Sequence, residues 1–132
     1  MKRSSAILSA AFAAGALGLA SAPHAAASGA AYYTAAQAAS GAKLYADNCG
    51  HCHGANLEGM TGPALSGPAM KDSQAIADIY AFVVQQMPAG APGSLSPPAY
   101  AAIMAYLLKK NGHPAGSVAL SAARAKKITA KI

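Results

Sequence analysis

Apolar positions recur along this chain in three stretches with helical spacing, and no alternating run is long enough to suggest a strand. Thr34-Ala35-Ala36-Gln37 is a capping-box pattern, with Thr34 as N-cap and Gln37 at the third helical position. It predicts a helix running to about Asn48, with Gly41 and Tyr45 on one face, four residues apart. Ile76, Ile79, Tyr80 and Val83 form the stripe of a second helix, capped by Ser73 and reaching about Gln86, and Pro88 stops it. Ser96-Pro97 opens a third: serine suits an N-cap, and proline at the first helical position loses an N–H that has no partner there. Tyr100, Ile103, Met104 and Leu107 share one face of that helix. Lys109 and Lys110 suit the negative end of its dipole, and Asn111-Gly112 ends it. Residues 54–70, rich in Gly and Pro, read as a loop wrapped around something, and 89–95, with two glycines and Pro92, are irregular. Residues 117–132 have partial helical character without a placeable boundary. The pattern is all-α.

The beginning of the chain reads as a targeting segment. Lys2 and Arg3 precede an apolar run over residues 6–20, and Ala25-Ala26-Ala27 fits a small-residue cleavage site, so residues 1–27 are a signal peptide cut after Ala27. The run is short for a membrane span of about 20 residues, so no stable membrane insertion is expected after cleavage. Cleavage leaves 105 residues, enough for one small domain. Residues 28–33 are a leader, 34–116 the folded domain and 117–132 a basic tail.

Charge is unevenly spread. The full chain carries +6, and without Lys2 and Arg3 it carries +4. Residues 28–108 hold two lysines against four acids, whereas from Lys109 onward there are six bases and no acid. A basic end on an acidic body suits either solvation or docking to an acidic partner. Nothing interleaves aromatic with basic residues, so nucleic acid is not an expected partner.

Candidate chemistry is concentrated in Cys49-Gly50-His51-Cys52-His53, which holds both cysteines of the chain. Two thiols three positions apart, followed at once by histidine, form the attachment signature of a c-type haem. Each thiol can add to one haem vinyl group, and the turn between them brings His53 under the iron as proximal ligand. Candidates for the opposite side are Met60, Met70, Met87, Met104, His51 and His113. His51 sits inside the turn, Met60 is too close in sequence to cross a porphyrin comfortably, and Met104 belongs to a helical core stripe. His113, beside Pro114, reads as exposed. Met87 ends a helix and leads a Gly/Pro-rich loop that can press on a flat ring; Met70 is the runner-up, and an open iron the third possibility.

These residues together resemble the small class I cytochromes c of bacteria, over roughly residues 35–116. The resemblance rests on Gly41 and Tyr45, the Cys49–Gly54 run, Gly62-Pro63-Ala64-Leu65, Met87-Pro88, and Tyr100 to Leu108. It implies three to five helices wrapped around one covalently attached haem c, with the first and last helices crossing where Gly41 and Tyr45 meet Tyr106 and Leu107. It implies that the Pro63 carbonyl accepts a hydrogen bond from His53, that Leu65 packs on the haem edge, and that His53 and Met87 bind the iron. Covalent attachment of such a haem happens outside the cytoplasm in bacteria, which agrees with the signal peptide and implies a periplasmic protein. The implied function is single-electron shuttling among redox protein partners, with a periplasmic dehydrogenase as donor and a terminal oxidase or another cytochrome as acceptor. The lysine ring of mitochondrial members is absent before residue 109, so their docking mode does not carry over.

Other readings compete. The chain could be a cytochrome subunit of a periplasmic, quinoprotein-type dehydrogenase, with residues 113–132 as docking segment. An iron without Met87 bound would bind ligands or peroxide and make the protein enzymatic. A thiol–disulfide oxidoreductase would use the Cys49/Cys52 pair, but no βαβ pattern is present and His53 would be a coincidence. A zinc site lacks a second ligand pair at suitable spacing.

Overall fold

A computed structural model describes residues 30–70 and 74–132; the signal-peptide expectation for residues 1–27, the start of the leader and Ser73 lie outside the described residues. Among the described residues five α-helices follow one another: α1 (Ala35–Asn48), α2 (Gly50–His53), α3 (Ile76–Gln86), α4 (Pro97–Lys110) and α5 (Ala122–Ala125), with a 3₁₀ turn at Gly67–Ala69. Among the described residues there is no strand; two isolated bridges join Tyr33 to Ala115 and Ala75 to Lys131. No described helix is long and apolar enough to cross a membrane.

α1 begins as its sequence requires, with Thr34 extended and its hydroxyl accepting from Gln37 N at 3.2 Å. Only half of the capping box forms. The Gln37 side chain, expected to reach back to Thr34, instead pairs with the backbone of Leu120. α1 buries Ala38, Gly41 and Tyr45 on one face. That face lies across α4, the most buried helix, which hides eight of its fourteen residues. Gly41 makes the crossing possible, because a methyl at its Cα would overlap the Ala102 carbonyl. The glycine thus meets α4 at Ala102–Ile103, about a turn before the expected Tyr106 and Leu107, while Tyr45 does pack on Tyr106 with ring centroids 5.3 Å apart.

α4 starts on Ser96, whose hydroxyl accepts from Ala99 N, with Pro97 in its first turn. α3 departs from expectation: it starts at Ile76 with Ala75 as N-cap, not at Ser73. No side chain caps it. Its first amide donors, Ile76 N and Ala77 N, instead donate to Ala130 O and Ile128 O at 2.9 and 3.0 Å. A helix terminus needs acceptors for its orphan N–H groups, and here they come from backbone far along the chain. The basic C-terminal segment therefore packs on the domain, burying Leu120, Ala125 and Ile132.

Candidate functional site

Every helix but α5 contributes to one cavity of about 740 Å³, within the roughly 300–1,000 Å³ usual for a small-molecule or cofactor site. Its wall is mostly apolar. Ile103 and Leu107 of α4, Ile79 and Val83 of α3, and Leu65 from the preceding loop form much of it. The Cys49–His53 turn forms one side, and Met87, Pro88 and the glycine-bearing loop after them contribute another part.

α1 delivers the turn. Cys49 N still donates to Tyr45 O at 2.8 Å, so α2 starts where α1 ends, and Cys52 and His53 follow within a single helical turn. Cys49 is half-buried and Cys52 exposed, and the two are not joined. Burial pushes the Cys49 thiol up, and the neighbouring Cys52 adds to the shift. A redox thiol of the Cys-x-x-Cys type needs the opposite, a lowered pKa that supplies thiolate.

His53 is buried, and its Nδ1 lies 2.8 Å from Pro63 O. A carbonyl can only accept, so Nδ1 carries a proton, and it is Nε2 that is left to face a ligand. Pro63 is held in turn by a loop that folds back on the turn: Gly59 N donates to His53 O, and both Met60 N and Gly62 N to Cys52 O. Leu57, buried at φ +66°, anchors this loop despite a backbone conformation that non-glycine residues seldom adopt. Gly62 leaves room for the imidazole, since a Cβ there would stand 2.7 Å from His53 Cε1. Leu65 lines the cavity, with its amide on Leu57 O and its carbonyl accepting from Asn111 Nδ2 at 3.0 Å.

Of the methionine and histidine candidates for the far side, only Met70 and Met87 line the cavity. Met60 is 70% exposed, and Met104 is buried within α4 away from the cavity. Met87 caps the C-terminus of α3: its N–H donates to Val83 O at 3.0 Å and its carbonyl accepts from Tyr100 Oη at 2.7 Å. The Met87–Pro88 peptide is cis. Tyr100, Asn111 and the Tyr45 Oη–Gly54 O bond (2.8 Å) support the site without having been singled out for it. Their partners are backbone carbonyls, which leave no trace in a residue pattern.

The residues present fit a haem. The cavity has the volume and the apolar wall, Cys49 and Cys52 line it, His53 is held at it by the Nδ1 bond to Pro63 O, and Met70 and Met87 line the same space.

Comparison with known proteins gives two matches. A family model described as cytochrome c oxidase, cbb3-type, subunit III matches residues 36–107. A chain of the sulfane dehydrogenase SoxCD from Paracoccus pantotrophus is similar, with 30% sequence identity and a TM-score of 0.58, over 70% of this chain and 52% of that one. This chain thus spans about half the length of that relative. No curated protein sequence matches it.

Proposed function

The chain belongs to the class I c-type cytochromes, as the match of the cbb3-type cytochrome family model to residues 36–107 shows, and on that premise we propose that it is a periplasmic single-electron carrier with one covalent haem c and His53/Met87 axial ligation. The observation that carries this reading is the convergence of Cys49, Cys52, His53 and Met87 on one apolar cavity, with the His53 proton pinned on Nδ1 by Pro63.

The haem supplies a one-electron ferric/ferrous couple when bound. The residues of the chain do the rest. Cys49 and Cys52 would hold the group as thioethers, which would keep it on the chain in either state. His53 offers Nε2, and its bond to Pro63 fixes the ring plane and raises the basicity of the coordinating nitrogen. Met87 offers a soft thioether, which favours the ferrous state and raises the potential, as does the apolar wall of Ile79, Val83, Ile103 and Leu107. Cys52, the exposed member of the pair, marks the edge at which a partner can approach for electron exchange. Redox proteins, a dehydrogenase as donor and an oxidase or second cytochrome as acceptor, are the proposed partners.

The test is a visible spectrum of the protein made in cells that attach haem, before and after acid–acetone extraction, with and without carbon monoxide. Colour that stays with the polypeptide and a ferrous spectrum indifferent to carbon monoxide support the reading. Extractable or absent haem overturns it, and ready carbon monoxide binding removes Met87 as ligand. The likeness to a chain of a sulfane dehydrogenase favours a second reading, a cytochrome module of a dehydrogenase assembly. Co-purification with a larger subunit through gel filtration separates that module from a free shuttle.

A further inference from the structure

We propose that Tyr100 is the positioning residue for Met87, setting how firmly the thioether is held at the iron. The proposal rests on the reading of Met87 as axial ligand. Met87 has two backbone polar groups, and they are fixed from different directions. Its N–H is tied to Val83 O of α3, and its carbonyl accepts from Tyr100 Oη of α4 at 2.7 Å. The same hydroxyl takes a long hydrogen bond, 3.5 Å, from Leu95 N.

One phenol therefore ties together the beginning and the end of the loop between α3 and α4. That loop has little else to hold it. Residues 89–94 are all exposed, and its internal backbone bonds are Ala91 N to Pro88 O at 2.8 Å and Ser94 N to Ala91 O at 3.3 Å. Tyr100 itself is buried and sits in the first turn of α4, beside the Ser96 cap, so its ring is rigidly placed. Losing the hydroxyl would leave the Met87 carbonyl without its partner and let the loop start shift. Such a shift moves the thioether, whereas the helices on either side stay packed by other residues. The ferric state feels this first, because thioether sulfur binds ferric iron less firmly than ferrous.

The experiment uses the full haem-loaded chain in the ferric state, titrated with imidazole, which competes with the sixth ligand. Tyr100→Phe is expected to raise imidazole affinity about fivefold, equivalent to roughly 1 kcal/mol for one lost hydrogen bond, and to weaken the methionine–iron charge-transfer band. Tyr106→Phe, on the same helix, should leave both unchanged. The proposal is overturned if Tyr100→Phe leaves affinity and band as they were, if Tyr106→Phe moves them equally, or if Tyr100→Phe fails to retain haem, which would mark a general folding role. Met87→Ala separates the two levels. If it removes the band and opens the iron while Tyr100→Phe does nothing, only the positioning role fails; if it changes neither, the ligand assignment fails and the proposal with it.

Discussion

Gln37 grips the backbone of Leu120 with both ends of its amide: Nε2 donates to the Leu120 carbonyl at 2.7 Å, and Oε1 accepts from the Leu120 N–H at 2.8 Å. This pair fastens the basic C-terminal segment to the start of α1. It satisfies two backbone groups that would otherwise lose their partners together. Gln37→Ala is therefore expected to cost about 2 kcal/mol, at about 1 kcal/mol for each bond. Urea unfolding at constant slope would show it as a lower midpoint. An unchanged midpoint would mean that the apolar contacts of Leu120 suffice.

A second prediction concerns the helix crossing. A methyl at Gly41 has nowhere to go, because it meets the rigid backbone carbonyl of Ala102 and no movable side chain. Gly41→Ala should destabilise by roughly 3 kcal/mol, the upper end of ordinary overpacking, and separate α1 from α4. Loss of the near-ultraviolet signal of the Tyr45–Tyr106 pair should accompany it. Full stability in Gly41→Ala would refute the close approach.

Gly62→Ala acts on chemistry more than on folding. Its new Cβ would press on the His53 ring, which cannot turn away without breaking the bond to Pro63 O. Retained covalent haem in freshly made protein should fall about tenfold, as disruption of such supporting contacts commonly does to a metal site. Far-ultraviolet circular dichroism should stay near that of the parent. Normal haem content would show that the imidazole has more freedom than its surroundings suggest.

Alkaline pH gives a fourth prediction. Burial chiefly, with nearby Cys49, Tyr106 and Glu58 adding, pushes the Tyr45 phenol up to about 12 from its ordinary 10. The unfolded chain thus releases this proton first. Its contribution to stability is whole below pH 10 and is lost as pH rises through about 12. Stability measured over this interval should fall more steeply in the parent than in Tyr45→Phe, which has no proton to release. Tyr45→Phe should also be less stable at neutral pH, since the Gly54 carbonyl loses its buried donor. Parallel curves would assign the alkaline loss to other groups.

Much of the helical frame was legible because its signals are local. Thr34 caps α1 and Ser96-Pro97 opens α4 through contacts within three residues, so the pattern alone located both. α3 was placed less well at its start, because the acceptors for its first amides are Ile128 and Ala130, invisible to any local rule. Gln37 shows the same limit from the other side. Its position in a capping box was correct, but its side chain found a better-placed partner 83 residues away. Around the cavity, the spacing of Cys49, Cys52 and His53 could be read directly, because the attachment turn is a single short helix. Chain distance and helix periodicity left Met70 and Met87 as the leading methionines, and these are the two at the cavity wall. Tyr100 and Asn111 could be read only as a stripe position and a helix end, since each supports the site through main-chain oxygens that every residue possesses.

The pairing of α3 with residues 128–130 also ties one wall of the cavity to the far end of the chain. Contacts between segments so distant in sequence form late, because loop closure must precede them. The start of α3, the helix that carries Ile79 and Val83 of the cavity wall, is therefore satisfied only once residues 128–130 are in place. The C-terminal segment thus clasps one wall of the cavity from behind without lining it.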